Sequence, residues 1–193
     1  MAPARDWLVQ PTAPSTAIFS MKEPMTSVIY TASIPVFKQM LGGLSGVLAK
    51  ADAHVAAKKL DPQALLQARL FPDMFTLLRQ VQVASDFAKS VSARLAGVDA
   101  PKLDDTEQSF AELQARLAMV LAFVNGLTPE LFDDAAGREI VTQAGTPKEK
   151  RFTGQSYLFN YGLPHFFFHT TAAYAVLRHN GVELGKKDYI GAY

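Results

Sequence analysis

The sequence contains no cysteine at any of its 193 positions. Disulfide bonds, zinc sites built from thiolates and cysteine nucleophiles are therefore excluded, because each of them needs a thiol. A chain without cysteine is typical of a reducing compartment, and we predict a cytoplasmic protein.

The chain also has almost no excess of either charge, since 19 basic and 18 acidic side chains leave a formal net charge of +1. The densest basic run is KEKR at residues 148–151, and it contains a glutamate. A nucleic-acid surface needs a concentrated basic footprint, which this chain does not offer. We therefore expect no nucleic acid among its partners.

Long apolar runs are missing as well, because no stretch reaches the roughly 18 apolar residues that a membrane-spanning helix needs. Asp6, Gln10 and Pro11 stand where a signal peptide would have its apolar segment, so we predict neither membrane insertion nor secretion. A second methionine, Met25, opens the first periodic segment. We predict that residues 1–24 form a flexible extension that contributes little to folding. The alternative is an arm that docks on a partner.

Apolar residues make up 49% of the chain, and they recur at helical spacing in four long segments. The first segment covers residues 28–59, and the glycines in its middle would let a neighbouring helix approach closely. The second begins with Asp61 as N-cap and Pro62 in the first turn. A further proline, Pro72, restarts or bends this second helix.

The third helix is predicted to begin near residues 103–108, where acidic side chains favour the helix dipole. Residues 135–153 break the helical pattern and indicate either a small hairpin or an ordered loop. The fourth helix is predicted within residues 154–180. Pro164 interrupts it, and Gly181 follows as a stop signal.

Four amphipathic helices indicate an all-α fold, an up-and-down antiparallel four-helix bundle with a long irregular or hairpin loop before the last helix. We predict that residues 25–193 form this bundle as a single domain. Phe167, Phe168 and Tyr174 fall outside the apolar arc of the last helix, and they need cover from a loop, the C-terminal tail or a second subunit. We therefore predict a homodimer.

Two histidines, His165 and His169, stand four residues apart in the last helix. A helical wheel places His169 near the centre of the apolar face and His165 at its edge. Two histidines at this spacing share one face, which is the geometry that a single metal ion needs. The alternative is a neutral core histidine that hydrogen-bonds to the backbone or to a neighbouring helix.

A third metal ligand would have to come from another helix, and the second helix runs parallel to the fourth. If the prolines that precede them begin regular helices, Asp73 and His165 lie at equal depth in the bundle. His169 then lies one turn deeper, near Gln80. We predict Asp73 as the third ligand and Gln80 as a pocket residue. The alternative for Asp73 is a first-turn acid that favours the helix dipole.

Three stretches carry a resemblance to a known family: FHTTAAYAVLRHNGVELGKKDY at 168–189, ARLFPDMFTLLRQVQVASDFAK at 68–89 and RLAG at 94–97. The sequence from Met25 to Gly191 resembles an uncharacterised, mostly bacterial and fungal branch of the DinB/YfiT-like superfamily. The resemblance implies a four-helix bundle that is often dimeric.

Several members of that superfamily bind a divalent metal through three histidines, one from helix two and an HxxxH pair from helix four. Some of these members are thiol transferases that use bacillithiol, mycothiol or glutathione. The helix-four pair is carried over onto His165 and His169, whereas residues 62–97 contain no histidine. The cofactor that the resemblance implies is one divalent metal ion, zinc or nickel.

The sequence leaves three functions open. The first is a divalent-metal enzyme of thiol-transferase type, with its site between helices two and four. The second is a metal-free protein that binds a small apolar ligand through His169 and Gln80. The third is a structural protein whose bundle face forms a dimer.

Overall fold

A computed structural model describes residues 27–192, so the prediction for residues 1–24 lies outside the described residues. The helices are α1 (Val28–Lys58), α2 (Pro62–Leu66), α3 (Leu77–Ala96), α4 (Phe110–Asn125), α5 (Gly154–Tyr157), α6 (Leu163–His179) and α7 (Lys186–Ile190). A 3₁₀ turn, Pro129–Phe132, follows α4, and a π turn, Leu158–Gly162, joins α5 to α6. The antiparallel strands are β1 (Glu139–Thr142) and β2 (Lys150–Thr153).

The bundle consists of α1, α3, α4 and the continuous helix of residues 154–179, which confirms the predicted all-α fold. α3 packs mainly on α6, and α1 packs mainly on α4. Each bundle helix contributes leucines with no exposed surface, among them Leu41, Leu77, Leu117 and Leu177. Each such side chain stabilises the fold by about 1.5–3 kcal/mol. None of the helices within residues 27–192 is long and apolar enough to cross a bilayer.

α1 begins and ends within one residue of its prediction, and one of its glycines allows a close contact. A Cβ atom added to Gly43 would lie 2.7 Å from the carbonyl oxygen of Tyr189. An ion pair of 2.7 Å between Lys50 and Asp188 joins the same two segments. The segment that approaches Gly43 is therefore the C-terminal segment around α7.

The start of the second bundle helix differs from its prediction. Asp61 caps α2 as expected, but that helix has only five residues. The bundle helix begins at Leu77 rather than at Pro72, because the Thr76 hydroxyl caps it by accepting the N–H of Arg79 at 3.2 Å. The proline and its neighbours form an exposed turn instead.

The start of the third bundle helix also differs. α4 begins at Phe110, after a serine cap, and not near residues 103–108. The acidic residues before it do not lie in its first turn, because Asp105 and Glu107 bind the guanidinium group of Arg116. A tertiary ion-pair network outweighs the local preference for acids at a helix N-terminus.

The last bundle helix runs without a break through residues 154–179, although Pro164 was expected to interrupt it. The π turn directly before the proline shifts the backbone hydrogen bonds around its missing N–H, so the helix continues. Gly181, with a φ of 86°, follows the end of the helix as predicted. The two strands confirm the hairpin alternative for residues 135–153.

Candidate functional site

The candidate site is built around His169, which lies on the core-facing side of α6 and is only 7% exposed. Its Nδ1 atom is 2.7 Å from Oε1 of Gln80 on α3. The close packing of α3 on α6 places this amide opposite the imidazole. Gln80, which the sequence places near His169, is therefore its direct hydrogen-bond partner.

The orientation of the Gln80 amide follows from its second neighbour. Nε2 of Gln80 faces the backbone carbonyl of Phe75 at 3.5 Å, and a carbonyl oxygen can only accept. The amide NH₂ group therefore points to Phe75, and Oε1 accepts a hydrogen bond from Nδ1–H of His169. An imidazole with its proton on Nδ1 keeps a lone pair on Nε2.

The pKa of His169 lies far below its ordinary value of 6.5. Burial, followed by the nearby charges of His165 and Arg79, lowers this pKa to about 4. Burial acts in this direction because apolar surroundings disfavour the charged form of the ring. His169 is therefore a neutral imidazole at physiological pH, available as a base, a hydrogen-bond acceptor or a ligand.

Aromatic rings surround the imidazole of His169 on several sides. Phe75 and Phe87 lie nearly parallel to it, with ring centroids at 6.2 and 5.9 Å. Phe168 meets it edge-on at 5.1 Å. Such rings keep water from the neutral imidazole and offer contact area to a planar group placed beside it.

His165 lies one turn earlier on α6 and is exposed. Its ring stacks on Phe87 at a centroid distance of 4.7 Å and an angle of 3°, and the ring of Tyr161 lies 4.5 Å away. Burial, and then the charge of Lys150, lowers the pKa of His165. The structure brings the two histidines to one site, where they share Phe87 as a stacking partner.

Asp73 is not brought to this pair. It lies in the exposed turn before Thr76, because the bundle helix begins later than predicted. Within residues 27–192, no group of three or more His, Cys, Asp and Glu side chains is arranged to hold a metal ion. The α3 residue that faces His169 is the uncharged Gln80. The described residues therefore do not fit a three-histidine metal centre.

A buried charge cluster that was not predicted from the sequence is centred on Arg116 of α4, which is 1% exposed. The carboxylates that contact it at 2.8–2.9 Å are those of Asp86, Asp105 and Glu107. The sequence does contain a signal for this cluster, because Arg116 falls on the apolar stripe of its helix beside Leu113 and Val120. A charge at such a position needs buried partners.

The fold and the sequence together place the chain among the DinB-like proteins. The sequence pattern of a family described as "Domain of unknown function (DUF1993)" matches residues 29–190. A crystal structure of a DinB family member protein from Shewanella denitrificans is 43% identical, with 86% of this chain and 93% of that chain covered and a TM-score of 0.80. No curated protein matches the chain significantly. The chain therefore belongs to the DUF1993 family, and the predicted resemblance is confirmed.

Proposed function

We propose that the protein binds a small planar molecule at the His169 site without a metal ion. The observation that carries the proposal is the 2.7 Å hydrogen bond between His169 and Gln80. With the Gln80 amide oriented by the Phe75 carbonyl, this hydrogen bond puts the ring proton on Nδ1 and leaves Nε2 as a hydrogen-bond acceptor among aromatic rings. A ligand with one O–H or N–H donor at its edge satisfies this acceptor, while its ring contacts the aromatic side chains.

The proposed site favours ligands that donate a hydrogen bond to Nε2 of His169 over ligands that do not. Burying Nε2 of His169 against a ligand that cannot donate costs about 1–3 kcal/mol, because the acceptor is then left without a hydrogen-bond partner. Phe75 and Phe168 contribute apolar contact to any ring of suitable size. The hydrogen bond therefore determines which rings bind, and the aromatic contacts contribute affinity without much discrimination.

Phenol and anisole test this proposal, because they share one ring but only phenol has a donor. In protein labelled with ¹⁵N-histidine, phenol is expected to bind with a Kd on the order of 1 mM and to shift the Nε2 resonance of His169. Anisole is expected to bind about tenfold more weakly. His169→Leu removes this difference, whereas His179→Leu at the exposed end of α6 keeps it. Equal affinity for both probes in the wild type contradicts the proposal.

A divalent metal ion is the second candidate, and one contact favours it. Metal-binding histidines commonly donate their other ring N–H to a neighbouring group, as His169 does to Gln80. In this candidate His165, one turn away, is the second metal ligand. The activity that goes with such a metal site is that of a thiol transferase. We rank it second because residues 27–192 supply no third ligand of these types to the pair.

Titration of zinc and nickel into metal-stripped protein separates the two candidates. The metal-free proposal predicts that wild type binds either ion no more tightly than the His169→Ala and His165→Asn variants. Stoichiometric binding that both substitutions weaken by about tenfold would establish the metal centre instead. Zinc or nickel present in protein purified without a metal-affinity tag would also support the metal centre over the metal-free proposal.

We propose further that the protein is a homodimer. Phe75 and Phe168 are 48% and 57% exposed, and both contact His169, so they belong to one surface patch. Large exposed apolar patches are typical of interaction sites. Tyr174, also predicted to need cover, packs instead on Tyr189 of the C-terminal segment at 5.6 Å.

Light scattering at micromolar concentration is expected to give twice the monomer mass of 21.0 kDa. The double substitution Phe75→Ser and Phe168→Ser removes most of the patch and is expected to give a monomer. Phe159→Ser is the matched control, since Phe159 is 40% exposed and lies in the π turn, nine residues before Phe168. A monomer mass for the wild type contradicts the proposed dimer.

A further inference from the structure

A cleft adjoins the histidine site, and Phe87 and Tyr161 belong to both. It lies between α3, the end of β1 and the last bundle helix, and its volume is about 200 Å³. Neither His165 nor His169 lines it. Clefts for drug-sized molecules hold about 300–1,000 Å³, so this cleft suits a molecule with a single ring.

Thr142, whose hydroxyl group is buried, is one of the residues that line this cleft. Side chains alternate along β1, so Thr142 points inward together with Ile140 and is only 5% exposed. Its Oγ1 atom has no hydrogen-bond partner among residues 27–192. A buried hydroxyl without a partner destabilises a fold, so this position favours a polar group of a bound molecule.

The charges along the cleft favour an anion. Arg94 donates one N–H to the hydroxyl of Tyr157 at 2.8 Å, and a guanidinium group has further donors. The carboxylate in the cleft, Asp86, is paired with Lys89 at 3.0 Å, and it shares Arg116, at 2.9 Å, with two other carboxylates. The positive charge of Arg94 therefore meets little competition from acidic groups beside it.

We propose that this cleft binds a small aromatic carboxylate. The carboxylate accepts an N–H from Arg94 and the O–H of Thr142, and the ring packs against Phe87 and Tyr161. Hydrogen bonds between a guanidinium group and a carboxylate are about twice as strong as those between neutral groups. This site goes beyond the function proposed for His169, because its ligand class and its polar residues are different.

Benzoate and benzamide test the proposal, since their shapes match and only benzoate is charged. Backbone ¹H–¹⁵N shifts around the cleft are expected to give a benzoate Kd on the order of 1 mM. Benzamide is expected to bind about tenfold more weakly. Thr142→Val removes the hydroxyl at nearly constant shape, and Arg94→Gln removes the charge. Each substitution is expected to weaken benzoate binding by about fivefold or more.

Arg151→Gln is the control for charge, because it removes a positive charge from β2 outside the cleft. It is expected to leave the benzoate affinity within about twofold of wild type, since exposed charges are screened by salt. Thermal melting checks the fold, and Thr142→Val is expected to melt no lower than wild type. Benzoate binding that neither Thr142→Val nor Arg94→Gln weakens, or that benzamide matches, overturns the proposal. Shifts centred on His169 rather than on the cleft overturn it as well.

Discussion

Replacement of Arg116 by methionine is expected to lower the free energy of unfolding by about 3 kcal/mol. Methionine fills much of the space, but it leaves the carboxylates of Asp86, Asp105 and Glu107 without their shared positive charge. The expected loss is at the low end for a broken buried ion pair, because these acids are 13–33% exposed and can be partly hydrated. Urea unfolding followed by circular dichroism measures it.

Arg151→Met is the matched control for this prediction. Arg151 contacts Glu139 at 3.0 Å and Glu149 at 2.9 Å, but its side chain is 61% exposed. Exposed ion pairs contribute only about 0–1 kcal/mol. If both substitutions reduce stability equally, burial of the Arg116 network is not what makes it stabilising.

The same network makes stability depend on pH. Burial raises the pKa of Glu107, but hydrogen bonds from Arg116 and Gln82 outweigh it and hold the pKa below 4.5. Burial likewise raises the pKa of Asp105, but Arg79 and Arg116 lower it below 3.8. Such carboxylates stabilise the fold above their unfolded pKa, and this stability is lost as the pH falls through the folded pKa. The wild type should therefore lose stability more steeply below about pH 4.5 than Arg116→Met does.

Replacement of Gln80 by glutamate is expected to raise the pKa of His169 from about 4 to between roughly 5 and 7. The new side chain has nearly the same shape and puts a carboxylate 2.7 Å from Nδ1, which favours the imidazolium form. Titration of the histidine C–H resonances by NMR measures the change. Gln80→Leu is the control, because it removes the acceptor without adding charge and so should not raise this pKa.

This substitution should also change how stability varies with pH. Between pH 4 and 6.5 the unfolded wild-type chain protonates residue 169 while the native protein does not, so the free energy of unfolding rises with pH. Across that window the gain is about 3 kcal/mol. The higher pKa of His169 in Gln80→Glu narrows the pH range in which only the unfolded chain is protonated at this residue. The increase in the free energy of unfolding across that range is therefore smaller. An unchanged pKa and an unchanged slope would contradict direct contact between Gln80 and His169.

The fold could be predicted wherever its signals are local. The periodicity of α1 marked both of its ends, and Gly181 marked the end of the last helix because only glycine readily adopts its positive φ. The start of α3 has a local signal that the prediction overlooked, whereas the start of α4 depends on tertiary contacts. Thr76 caps one helix after an exposed turn, and Arg116 draws acidic residues away from the other.

The candidate site could be predicted in part for the same reason. Spacing alone put His165 and His169 on one face, and the depth along parallel helices pointed to Gln80. Asp73 was predicted at the depth of His165, but its position depends on where α3 begins, and α3 begins only after it. Thr142 lies on a strand distant in sequence from α3, so no local pattern joins it to the cleft that both elements line.

The claim that His169 is a neutral imidazole held by Gln80, with Nε2 free to bind, is tested most directly by a long-range ¹H–¹⁵N NMR spectrum of the histidine rings. At about pH 7 we predict a proton on Nδ1 of His169 and none on Nε2. We also predict a titration midpoint of about 4. A proton on Nε2, or a midpoint near 6.5, would contradict the claim.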